Sequence, residues 1–243
     1  MPFEKLIEGF RSFQKSHFGD QDVYQTLTKD GQHPEALVIA CSDSRNDPAL
    51  LTQSEPGDIF VIRNVAAIVP PYQPDDRHHG TSAAIEFAVK GLEVANIVVI
   101  GHALCGGAGA LVSPPADGGM EFEFLNQWMA IGAPALDAVN RLLPDMPENV
   151  RRRAMEQALI LTSLNNLMTF PWIREAVDSG RTTLHGWYFD MVNGQMLAYD
   201  FTSGQFTTMG EDDACLGKCA QHNPDCCDAW PLEKLVRGHL KQA

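Results

Sequence analysis

Three short apolar runs constrain this chain most. They are Ala36-Leu37-Val38-Ile39-Ala40-Cys41, Ile59-Phe60-Val61-Ile62 and Ile97-Val98-Val99-Ile100. Each is continuous rather than alternating, the pattern of strands covered on both faces, as in a parallel sheet. Between the second and third, residues 80–92 place Ala84, Ile85, Ala88, Val89 and Leu92 at helical spacing, with Thr81 or Ser82 as N-cap. This alternation predicts an α/β fold, a mostly parallel central sheet flanked by helices. Residues 3–18 carry Phe3, Leu6, Ile7, Phe10, Phe13 and Phe18 on one face. They predict an N-terminal helical arm, either facing the core or docking on a second subunit. Residues 121–131 and 148–170 read as helices, with Pro171 a break. Residues 65–79 and 113–119 read as loops. Residues 182–190 and 195–201 read as a C-terminal hairpin across Asn193-Gly194. No repeat or linker divides residues 1–210, and residues 211–243 form a Cys-rich C-terminal extension.

Charge narrows the partners. The chain of 243 residues has 18 Lys+Arg against 31 Asp+Glu, a formal net charge of -13. That balance argues against nucleic acid and anionic membranes, which need a basic face. No apolar run reaches the roughly 18–20 residues of a membrane span. The opening MPFEKLIEGF lacks the uninterrupted apolar stretch of a secretory signal, so the cytoplasm is the expected compartment.

In a reducing compartment, spaced cysteines point to metal or catalysis more than to disulfides. Cys41 closes the first run and opens Cys41-Ser42-Asp43-Ser44-Arg45; His102 follows the third run and leads to Cys105-Gly106-Gly107. Sites in open α/β sheets form beyond the C-terminal ends of strands, so two strand ends would bring these groups together. Two sulfurs and one nitrogen suit zinc, and three protein ligands leave a fourth position for water. Taken singly, a strand-end Cys is as often a small core residue. An Asp43–Arg45 pair is either a structural ion pair or a device that orients a bound water.

Together these segments resemble the β-class carbonic anhydrases. The resemblance rests on ACSDSR at 40–45, PGDIFVIRNVA at 56–66, GTSAAIEFAV at 80–89, NIVVIGHALCGG at 96–107 and LHGWYFD at 184–190, and covers roughly residues 1–208. It implies a zinc-dependent reversible hydration of CO2 to bicarbonate and a proton in a catalytic domain over residues 1–210. It implies one catalytic zinc per chain on Cys41, His102 and Cys105, with Asp43 and Arg45 paired beside the fourth position. Similarity to the family's plant-like branch implies that Gln32 donates a hydrogen bond to substrate. It also implies that Phe60, Val65 and Phe87 line an apolar pocket built by both subunits of a homodimer or higher oligomer. A second branch has a regulatory bicarbonate site around a tryptophan at the position of Val38, so that site is not expected. RNVAA departs from the family's RNVAN or RNAGN at Ala67. Relatives of this fold hydrolyse carbon disulfide or carbonyl sulfide, and the ligand set does not distinguish them.

Other groups are less defined. Tyr72, His78 and His79 are either a proton relay or a solvated loop. In the extension, Cys215, Cys219, His222 and Cys226 would make a second, structural zinc site. Disulfide or redox chemistry, suggested because adjacent Cys226 and Cys227 rarely both fit one metal, and silent thiols are the alternatives. One expectation follows from charge alone: two thiolates cancel the formal +2 of zinc where three imidazoles do not, so the site acidifies water less. The pH–rate profile should therefore rise to higher pH than in a three-histidine enzyme; full activity in stopped-flow assays at about pH 6 would contradict this.

Overall fold

The computed structural model describes residues 3–18, 23–114, 122–210 and 232–239. In chain order these form helices α1 (Phe3–His17) and α2 (Val23–Asp30), strand β1 (Ala36–Cys41), α3 (Pro48–Thr52), β2 (Ile59–Asn64), α4 (Gly80–Glu86), β3 (Asn96–His102) and α5 (Gly106–Val112). There follow α6 (Leu125–Met129), α7 (Ala133–Leu142), α8 (Glu148–Leu167), α9 (Pro171–Asp178), β4 (Thr183–Asp190), β5 (Gln195–Asp200), β6 (Gln205–Thr208) and α10 (Leu232–Gly238).

The six strands make one sheet in the order β2-β1-β3-β4-β5-β6. The three apolar runs are β2, β1 and β3, all parallel, and β4 joins them parallel to β3. β5 and β6 return antiparallel, with Gly194 at φ 65° in the β4–β5 turn. A left-handed φ is open to glycine without penalty, which is why Asn-Gly signalled the turn.

Several local expectations shift. The helix expected over 80–92 is α-helical only to Glu86 and continues through Phe87–Gly91 as a π-helical turn. Its N-cap is His79, whose ring bonds Asp75 at 2.6 Å, rather than Thr81 or Ser82. The helix expected over 148–170 stops at Leu167, and Pro171 opens α9 in its first turn, where no backbone donor is needed. Of the stretch read as helix over 121–131, Leu125–Met129 is α-helical and a 3-10 turn follows.

The larger core lies between the sheet and α8. Gly101 on β3 and Gly186 on β4 let this helix come close: a Cβ at Gly101 would stand 2.7 Å from Ile160 Cγ1, and one at Gly186 3.0 Å from Ile160 Cγ2. On the opposite face Val38, Ala40, Val98 and Ile100 form a small cluster edged by Ile59, Trp187 and Met196. No residue of α1 is buried, so the core-facing reading of the arm does not hold in a single chain; Phe3, Leu6 and Phe10 are exposed. Among the described residues, no helix is long and apolar enough to cross a membrane.

Helix α10 packs on α7, α8 and β6, with Leu235 and Val236 buried in the main core. The end of the extension thus joins the domain, whereas Cys215, Cys219, His222, Cys226 and Cys227 lie outside the described residues. His239 is buried against α8, its Nε2 3.1 Å from Gln157 Oε1. Burial, helped by the Arg153 charge, pushes this imidazole down from 6.5 to about 4. Because the folded pKa is depressed, the neutral state's full stability is present above pH 6.5 and is lost as pH falls toward 4. Urea unfolding should show a loss of about 2 kcal/mol between pH 7 and pH 5, and His239→Gln should remove most of that dependence.

Candidate metal centre

Strands β1 and β3 run side by side and end together, so their last residues, Cys41 and His102, become neighbours. The chain then turns through Ala103 and Leu104 to Cys105, the N-cap of α5. The two sulfurs and the imidazole nitrogen lie within 4.8 Å of one another. All three residues are buried, Cys41 6%, His102 1% and Cys105 4% exposed. His102 Nδ1–H donates to the Ala103 carbonyl at 2.8 Å, which leaves Nε2 as the lone-pair nitrogen. Nε2 is buried and has no hydrogen-bond partner. Such an orphan aimed at two sulfurs fits a soft divalent cation of the zinc type.

Without a cation the two thiols share one proton. Cys41 ionises readily, because the Cys105 thiol donates to it, as does the Asp43 backbone N–H at 3.5 Å. That thiolate and burial then hold Cys105 protonated, although the N–H groups of Ala108 and Gly107 favour its charged form. A divalent cation would take the place of the shared proton.

Asp43 stands at the open side, its Oδ2 4.0 Å from His102 Nε2. Arg45 grips it in a fork: Nε donates to Oδ1 at 3.0 Å, Nη2 to Oδ2 at 2.8 Å, and the Arg45 backbone N–H to Oδ1 at 2.9 Å. These bonds hold the carboxyl far below the usual carboxylate range. Arg63, one residue from the end of β2, ties the loop down. It donates to the carbonyls of Cys41 (3.1 Å) and Asp43 (2.6 Å) and to Asp47 Oδ2 (2.9 Å).

Two further loops at this end contain left-handed residues other than glycine: Ala66 (φ 63°), Ala67 (φ 54°) and Leu104 (φ 59°). The family's Gly or Asn around position 67 suits that conformation, so RNVAA carries strain of about 1–2 kcal/mol per residue. Hydrogen bonds hold the loop regardless. Asn64 accepts from Ile68 N and donates to Ile68 O, both at 2.9 Å. Ser163 donates to Ala67 O at 3.0 Å and accepts from Val69 N at 3.1 Å. Asn166 donates to Val69 O at 2.8 Å. The Cys105 loop is held from α8 by Glu156, which is 4% exposed. Burial pushes its carboxyl up, against bonds from Tyr188, Cys105 and Arg152.

The predicted residues thus divide. Cys41, Asp43, Arg45, His102, Cys105 and Val65 gather at the C-terminal ends of the strands. Gln32 lies four residues before β1, while Phe60 pairs with Leu37 near its start and packs on Phe87 at 5.8 Å. A six-residue strand spans roughly 16 Å, so those three lie at the far end of the sheet in this chain. A cleft of about 1220 Å³ is lined by Ser42, Asn64 and Val65 together with His78 and His79. Sequence reasoning gave no role to Arg63, Asn64, Ser163 or Glu156. Arg63 was visible as the one cation following an apolar run. Glu156, four residues after Arg152, looks like a solvated helix pair and gives no local signal.

The family model for carbonic anhydrase matches residues 36–196. A carbonic anhydrase of Pseudomonas aeruginosa is 38% identical over 211 residues, covering 85% of this chain and 91% of that one. One from Synechocystis sp. is 39% identical over 201 residues, covering 81% and 71%. Among solved structures, the β-carbonic anhydrase CcaA superposes with a TM-score of 0.78 at 35% identity, covering 86% of this chain and 92% of that one. A tetrameric β-carbonic anhydrase of Sordaria macrospora gives 0.64 at 32%, covering 80% and 92%. The chain belongs to the β-class carbonic anhydrases, lyases that hydrate CO2.

The brace on residues 65–69 is open to test. Ser163→Ala leaves the Ala67 carbonyl and the Val69 N–H without a partner in a fully buried site. It should cost about 2–4 kcal/mol in chemical denaturation.

Proposed function

We propose that this chain hydrates CO2 reversibly at a zinc ion held by Cys41, His102 and Cys105. The observation that carries the reading is the buried His102 Nε2, unpartnered and facing two sulfurs beside a carboxylate locked by arginine. When bound, zinc supplies a Lewis acid that makes water nucleophilic near neutral pH. Asp43 remains ionised and can only accept hydrogen bonds, so it selects an O–H donor and turns the attacking lone pair away from itself. Arg45 keeps both carboxylate oxygens in that orientation and prevents the side chain from swinging toward the ligands. Val65, just after the β2 end, offers an apolar wall suited to a neutral gas.

A single chain lacks the rest of the pocket, because its own Gln32, Phe60 and Phe87 lie at the other end of the sheet. We therefore assign those groups to a second copy, with Gln32 donating to an oxygen of the developing bicarbonate. Phe87, 52% exposed, and the bare apolar face of α1 are consistent with such an assembly. The homologue of Sordaria macrospora is described as a tetramer, which supports a dimer or a multiple of dimers here. Unpaired thiols at Cys41 and Cys105 suit a reducing compartment, and we place the protein in the cytoplasm.

Stopped-flow CO2 hydration tests the reading. The zinc-loaded protein should be active, and Asp43→Asn should retain zinc while losing activity about a hundredfold. Zinc-loaded wild type that hydrates no CO2 but cleaves carbon disulfide or carbonyl sulfide would move the assignment to those gases.

A further inference from the structure

Next to the metal centre, a buried carboxylate is held between α8, the Cys105 loop and β4. Glu156 Oε1 accepts from the Cys105 N–H at 3.1 Å and from Arg152 Nε–H at 3.3 Å. Its Oε2 accepts from the Tyr188 hydroxyl at 2.8 Å. One turn back on the same helix, Arg152 Nη2–H donates to the Cys105 carbonyl at 3.1 Å. The Cys105 residue is therefore gripped at both its N–H and its C=O by an Arg–Glu pair that belongs to another element. Tyr188 is itself fully buried, with the Arg153 guanidinium 5.2 Å over its ring and Phe206 edge-on at 6.2 Å.

The α5 side is shaped to admit this clamp. A Cβ at Gly109 would meet the Arg152 guanidinium at 3.0 Å, so the glycine leaves room for it. The residue before Cys105 is Leu104, half-exposed and left-handed at φ 59°. A leucine disfavours that backbone, and the loop left alone would relax and carry Cys105 with it. An ordinary solvated i,i+4 pair accounts for none of this, because Glu156 is buried and is shared by three donors from three elements.

We propose that Glu156 is a positioning residue of the metal centre: with Arg152 and Tyr188 it fixes the Cys105 backbone so that the third ligand is in place before zinc binds. The inference rests on the zinc reading above. It assigns Glu156 no contact with substrate or metal. Its action passes through one peptide N–H.

Zinc affinity of the metal-free protein, measured against a chromophoric chelator, tests it together with the thiolate-to-metal absorption of the Co(II) form. Glu156→Ala should weaken zinc about 10–100-fold and shift or weaken the Co(II) bands. Glu156→Gln, which keeps an oxygen facing the Cys105 N–H, should recover most of the loss. Folded Glu156→Ala with wild-type affinity and spectrum overturns the proposal. Glu156→Gln as weak as Glu156→Ala overturns it too, in favour of a bare charge effect. Should Glu156→Ala not fold, Arg152→Met decides. It removes the bond to the Cys105 carbonyl from a partly exposed position, and unchanged zinc affinity and spectrum there would equally overturn the brace. Wild-type protein that binds neither metal defeats the zinc reading itself, an outcome distinct from all of these.

Discussion

The close approach of α8 to β3 and β4 sets the geometry of the metal end. Gly101 and Gly186 remove the side chains that would hold the helix off. Residue 102, the next one on β3, is the histidine of the candidate metal centre. With the helix at that distance, its first half presents Arg152 and Glu156 to the Cys105 loop, and its second half presents Ser163 and Asn166 to residues 67–69. One rod thus supports two loops, one from each half of its length. A helix displaced by a methyl group would lose these bonds together, because hydrogen bonds weaken steeply beyond about 3.2 Å.

The loops need that support. Ala66, Ala67 and Leu104 each hold a backbone conformation that costs an ordinary residue about 1–2 kcal/mol. A net hydrogen bond contributes about 1 kcal/mol, and the penalty for leaving a buried partner bare is larger. Asn64, Ser163, Asn166, Glu156 and Arg152 together supply enough such bonds to offset the strain. Polar side chains placed inside the domain therefore do a job that glycines would otherwise do, and they leave less freedom behind.

Much of this was legible in the sequence where the signal is local. The apolar runs announced β1, β2 and β3; β1 and β3 are buried on both faces as expected, whereas β2 is the edge strand, with Ile62 alone buried and Val61 exposed. Asn193-Gly194 announced the β4–β5 turn through its φ requirement. Cys41, Asp43, Arg45, His102 and Cys105 stood out because reactive side chains clustered at two predicted strand ends. What escaped depends on tertiary contact. The N-cap position of α4 falls at His79, whose ring is tied to Asp75 and makes no capping bond, so no local capping signal marked it. Glu156 escaped because its partners are 32 and 51 positions distant. The placement of Gln32, Phe60 and Phe87 at the far end of the sheet follows from parallel register, which a strand's composition does not reveal.

The three candidate ligands come from the end of one strand, the end of its neighbour and the N-cap of a helix. An ion joining them would close a loop of more than sixty residues, as a disulfide does. The two halves of the parallel sheet's edge would then be cross-linked at their C-terminal side. Binding free energy at such a junction is folding free energy as well. Chelation would therefore be felt beyond the reaction centre, as a loosening of the seam between β1 and β3 that begins at their shared end.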